Sequence, residues 1–161
     1  MINDKMVKAL NVQMNNEFYN SRLYLSMATF FYDINLDGAA HWMEKQAVEE
    51  TGHAMKLYSH LKERNARILL TEVPAPPTKW ATPLAVFEDA YKHECEVTKA
   101  FDALVSQAQS LKDNATLNFL QWFVNEQVEE EASVDAVVQK LKMASSAPGA
   151  LFFIDRMLGE R

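Results

Sequence analysis

Six polar residues recur along this 161-residue chain at matched intervals. Glu17 is followed 33 residues later by Glu50 and 36 later by His53; Glu94 is followed 33 later by Gln127 and 36 later by Glu130. The two sets are offset by 77 residues, and the same offset carries Glu49 to Glu126 and the aromatic Tyr24 to the aromatic Phe101. This is the pattern of an internal twofold repeat. Both sets lie in stretches of helical periodicity, marked in the first by Val7, Leu10, Met14, Phe18, Leu25 and Phe31. Helices are expected over residues 4–33, 39–64, 83–111 and 114–143, with a short one over 149–158.

The links dictate how these helices meet. Asn35-Leu36-Asp37-Gly38, with Asp37 as the expected N-cap, and Lys112-Asp113 are short, so each joins two antiparallel neighbours. At about 1.5 Å per residue, Glu17, Glu50 and His53 then fall within roughly 6 Å of one level along the first hairpin. Glu94, Gln127 and Glu130 do the same in the second. Between the hairpins lie residues 65–82, with Pro74, Pro76 and Pro77, just before Pro83 at the expected third helix start. Extended, they reach up to roughly 60 Å, more than the roughly 39 Å of a 26-residue helix. The segment can therefore cross the whole bundle and leave the second and third helices parallel. Ile68, Leu69, Leu70, Val73 and Trp80 make it too apolar for a free linker. The expected fold is all-α and spans residues 1–161 as one domain: an antiparallel four-helix bundle with one long crossover and a short fifth helix. Seven of the nine residues 150–158 are apolar, so this last helix must dock, either on its own bundle or on other subunits.

Four carboxylates, an imidazole and an amide at mid-bundle cannot be buried uncompensated. A pair of cations resolves this, as in bundles where two helices each give a Glu and the others each give a Glu-x-x-His pair. Glu50-Thr51-Gly52-His53 supplies one such pair, while Gln127-Val128-Glu129-Glu130 departs from the pattern and leaves one metal with fewer donors. Oxygen-rich ligation with one histidine and no thiolate suits iron or manganese, with iron favoured. Glu50 is the expected bridge, with Glu17 and His53 on one metal and Glu94 and Glu130 on the other. Glu49, Glu126 and Glu129 form a further acidic group, read as a third and more exposed cation position.

Composition narrows the partners. A formal charge of −6, from 22 acidic and 16 basic residues, disfavours nucleic acid and favours cations. No run reaches the roughly 18 apolar residues of a membrane span, and no signal-peptide pattern opens the chain. The single cysteine, Cys95, suits a reducing cytoplasm and is read as a small buried residue. His41, His60 and His93 lack partners at ligand spacing and are read as surface or packing residues.

At these residues the sequence resembles the bacterial non-haem ferritins, from Met6 to Leu158, including the phrase from Ala115 through Asn118 and Phe119 to Trp122. The resemblance implies iron storage and detoxification by a ferritin-like fold. Fe(II) would be oxidised with O₂, or H₂O₂, at a di-iron ferroxidase centre of Glu17, Glu50, His53, Glu94, Gln127 and Glu130. It implies a third iron position at Glu49, Glu126, Glu129 and Glu130, with Tyr24 and Trp122 beside the centre as electron donors. It also implies a homo-oligomeric shell of 24 subunits with the final helices around fourfold axes. Bacterioferritins carry a haem-ligating Met directly after the bridging Glu; Thr51 stands there, so no haem is expected. Animal ferritins line threefold channels with acidic residues where this chain has Leu117 and Leu120, so a different iron entry route is expected.

Overall fold

The structure, a computed structural model, describes residues 2–144, 147 and 149–161; Pro148, read above as part of the break before the last helix, lies outside them. Five helices carry the chain: α1 (Asp4–Asp33), α2 (Asp37–Glu63), α3 (Pro83–Ser110), α4 (Asn114–Ala144) and α5 (Ala150–Leu158). No strand occurs among the described residues.

Local chemistry sets the ends. The Asn3 side chain accepts from Lys5 N at 2.9 Å to start α1, and the Thr82 hydroxyl accepts from Ala85 N at 3.1 Å to start α3, with Pro83 in the first turn. The first three helices all stop the same way. Asn35, Asn65 and Lys112 take left-handed φ values of 58°, 52° and 55°. The next residue's N–H then reaches back to the carbonyls of Phe31, Leu61 and Ala108.

This stop explains a correction. Asp37 is not the N-cap of α2: Leu36 is, and it offers no side-chain cap. Ending α1 consumes Asn35, so α2 must begin at once. Its orphan donor is served by α5 instead, where Asp155 Oδ1 accepts from Ala39 N at 2.8 Å. That approach needs the bare Gly38. A Cβ there would lie 1.8 Å from the Asp155 carbonyl oxygen. Gly38→Ala is therefore expected to push α5 off its seat, costing about 1–3 kcal/mol as overpacking does. Faster hydrogen exchange at the Ala39 amide checks it; an unchanged amide and melting temperature would refute it.

The crossover runs alongside α1 in the same direction. Asn11 donates through Nδ2 to the Arg67 carbonyl (3.0 Å) and accepts at Oδ1 from Leu69 N (2.7 Å). One turn on, Asn15 repeats this with the Leu69 carbonyl (2.8 Å) and Thr71 N (2.9 Å). Ser26 donates to the Pro77 carbonyl, and Trp80 meets Phe30 edge-on at 5.7 Å. Residues 67 to 80 thus climb α1 from Asn11 to Phe30, and α3 starts where α1 ends. It follows that α3 runs parallel to α2.

The apolar core forms two clusters. One gathers Tyr24, Met27, Phe31, Trp42, Met43, Phe87, Val134 and Val138. The other gathers Met6, Leu10, Met14, Leu57, Phe101, Leu120 and Phe123. Each of the first four helices contributes to both, and in each the intervening turn carries buried polar residues. Leu25, expected on the inner face, is 47% exposed because Tyr24 beside it takes the inward position. Cys95, expected buried, is only half-buried. Of α5, Leu158, Ile154 and Met157 pack against the first cluster while Phe152 and Phe153 face outward at 75% and 80% exposure. The helix thus caps its own bundle with one face and leaves the other open.

Candidate metal centre

Each helix of the bundle brings its polar turn into the gap between the two clusters. Glu17 and Asn20 come from α1, Gln46, Glu50 and His53 from α2, Glu94 from α3, and Gln127 and Glu130 from α4; all eight are buried. The six residues of the repeat therefore share one layer. Glu17, Glu50 and His53 each bring one donor atom within 4.8 Å of the others, and His53, Glu126 and Glu130 form a second such trio. His53 stands between them, with Nδ1 3.6 Å from Glu50 Oε2 and Nε2 3.8 Å from Glu126 Oε1. Glu94 enters neither trio. Its carboxylate accepts from the Tyr24 hydroxyl and from Gln127 Nε2 at 3.1 Å.

The electrostatics are those of a crowded acidic layer. Burial, then repulsion from Glu50, holds the Glu17 carboxyl well above the ordinary carboxylate range. Burial and the Glu94 charge do the same to Glu50, and push Glu130 up to about 7. Neighbouring amides bond the same carboxylates. Gln13 donates to Glu17 Oε1 (2.6 Å), and Asn20 to Glu17 Oε2 (2.9 Å) and Glu50 Oε2 (3.3 Å). Gln46 donates to Glu130 Oε2. A divalent cation lowers the energy of such a layer by replacing the protons, and carboxylates with one imidazole suit a borderline metal such as iron.

The remaining sequence candidates lie around this layer. Tyr24 is fully buried, and burial beside Glu94 holds its phenol well above its usual range. The Trp122 ring lies 5.5 Å edge-on from His53, and Lys56 Nζ lies 4.1 Å over the same ring. Glu126 is partly buried, its side chain 28% exposed, whereas Glu129 is exposed and joins neither trio. Glu49 is turned to Arg161, 2.7 Å from its guanidinium. Sequence reasoning missed the amides Gln13, Asn20 and Gln46 and the contact of Arg161. His93, read as surface or packing, donates through Nε2 to Asn20 Oδ1 at 2.8 Å and so holds the Asn20 amide with its N–H groups toward Glu17 and Glu50. His60 stacks on Phe119 with ring centres 3.9 Å apart, a packing role.

Comparison with known proteins matches residues 7–144 to the Ferritin family, described as a ferritin-like domain. The chain is 45% identical over 161 residues, the full length of both, to a bacterial non-heme ferritin of Bacteroides fragilis. It is 40% identical over 158 residues to one of Campylobacter jejuni, covering 98% of this chain and 95% of that protein. Among solved structures, an open-pore ferritin from the hyperthermophilic archaeon Archaeoglobus fulgidus superposes with a TM-score of 0.99 at 49% identity, over 100% of this chain and 99% of the other.

Proposed function

The chain belongs to the ferritin family, and from that premise we propose that it stores iron by oxidising Fe(II) with O₂ within each subunit's helical bundle and collecting the ferric product as an oxyhydroxide mineral inside a shell of 24 copies. The observation that carries this is the buried layer of four carboxylates, an imidazole and an amide, three of them with donor atoms within 4.8 Å. Glu17 and His53 hold one iron, Glu94, Gln127 and Glu130 the other, and Glu50 bridges them. Glu49, Glu126 and Glu129, with Glu130, form a third position toward solvent.

Iron supplies the electrons and O₂ takes them; the protein's part is placement and proton traffic. Burial disfavours charge on Glu17, Glu50 and Glu130, so binding of Fe(II) there would release protons, and the negative charge of the ionised layer would favour Fe(III) over Fe(II). Asn20 and Gln13 keep the Glu17 oxygens aimed inward. Tyr24, bonded to Glu94, and Trp122, beside His53, flank the centre as further electron donors. The lone cysteine suits the reducing cytoplasm in which we place the protein.

Adding about two Fe(II) per chain in air is expected to give fast oxidation with no precipitate. Twenty-four copies of the 18.4 kDa chain should elute at about 440 kDa. Oxidation no faster than in protein-free buffer would overturn the activity; a mass near half that value would overturn the shell.

A further inference from the structure

Beyond α5 the chain turns back toward the metal centre. Arg161 donates through one guanidinium nitrogen to Gln46 Oε1 at 2.7 Å and through another to Glu49 Oε2 at 2.7 Å. Its guanidinium carbon lies 4.5 Å over the Trp42 ring, and its own carbonyl oxygen is 3.2 Å from His41 Nε2. The side chain is thus held by a carboxylate, an amide and an aromatic face, all on α2.

Both polar partners lead inward. Gln46 is fully buried and donates to Glu130. An amide has one acceptor and one donor end. With Oε1 committed to the guanidinium, Nε2 is compelled to face Glu130; the flipped amide would set its N–H groups against the guanidinium's own donors. Glu49, an exposed carboxylate of the proposed third position, is paired with the guanidinium and stands outside the His53, Glu126 and Glu130 trio. The α5 helix is seated on α2 by the Asp155 bond to Ala39, which fixes where Arg161 reaches.

We propose that Arg161 is a positioning residue of the metal centre, orienting Gln46 toward Glu130 and holding Glu49 back by its charge, so that a cation enters the third position only by displacing the guanidinium. This rests on the reading of Glu49 as a ligand of that position. The Glu49 side chain is 44% exposed and that of Arg161 28%, so the ion pair is screened and yields readily to a cation held by several carboxylates.

Anaerobic Fe(II) titration of the assembled protein, followed by calorimetry, tests it. Arg161→Gln is expected to bind the last cation roughly fivefold more tightly, the scale set by releasing one partly exposed ion pair. Arg161→Lys, which keeps the charge, should stay within about twofold of the parent. Glu49→Gln should weaken or remove that cation alone. If Glu49→Gln does so while Arg161→Gln binds like the parent, the guanidinium is a tether, and the inference fails with the three-site reading intact. If Glu49→Gln leaves every cation unchanged, the third position is not built on Glu49 and the inference falls with it.

Discussion

Glu50→Gln abolishes rapid Fe(II) oxidation while leaving the shell assembled and the metal-free subunit more stable than the parent. The rate is expected to fall by more than about a hundredfold, since removing even an outer partner of a metal ligand costs roughly 10–100-fold. Stability should move the other way. Glu50 is 2% exposed, and burial together with the Glu94 charge disfavours its ionised form. The amide keeps its volume and its bond from Asn20 but carries no charge, so at pH 8 the metal-free variant should melt several degrees higher. His53→Ala separates the two effects: oxidation is lost equally, but removing a ring packed edge-on against Trp122 and Phe123 lowers the melting temperature. Glu88→Gln, at an exposed pair 3.1 Å from Lys142, should change neither. Parent-like oxidation in both Glu50→Gln and His53→Ala would place the chemistry elsewhere.

The inner ring of this centre was legible because it repeats. An offset of 77 residues finds Glu94, Gln127 and Glu130 from Glu17, Glu50 and His53 without any knowledge of the fold, and short links plus helical rise place them at one level. The supporting amides do not repeat. At the same offset Gln13, Asn20 and Gln46 correspond to Ala90, Val97 and Phe123, which fill the apolar clusters. The support is therefore one-sided, concentrated on α1 and α2. The signal that would have found it is local: Gln13 lies four residues before Glu17, Asn20 three after it, and Gln46 four before Glu50, all on the carboxylates' own helix face. Arg161 had no such signal, since its reach depends on how α5 docks. The Asp37 misreading has the same origin, because a cap supplied from 116 residues away leaves no mark near the helix start.

One-sided support bears on the stability of the empty protein, which should fall as pH rises and recover when metal is added. Glu17, Glu50 and Glu130 all have folded-state pKa values raised above their unfolded ones, so the folded chain holds protons that the unfolded chain releases. Their stabilisation is present in full below the unfolded value of 4.5 and is lost as pH climbs through the folded value, about 7 for Glu130. For Glu130 alone the full swing is about 3 kcal/mol, most of it lost between pH 4.5 and 7, so at higher pH the slope rests on Glu17 and Glu50. His60 and His93 act in the opposite sense below about pH 6.5, because burial lowers their folded values and protonation then favours the unfolded chain. Between pH 6.5 and 8.5 the histidines fall silent, and the carboxyls decide. Across that window the metal-free melting temperature should drop, by roughly 2–4 °C for each kcal/mol lost in a chain of this size. Saturating Fe(II) under anaerobic conditions, or a redox-inert divalent ion, should reverse the slope, because the cation binds the ionised layer and not the protonated one. A metal-free melting temperature that rises across this window would mean that the buried carboxyls are already ionised and paired with something other than a cation. In Glu50→Gln the slope should be shallower than in the parent, which would tie the pH response to the same side chain whose loss is expected to stop oxidation.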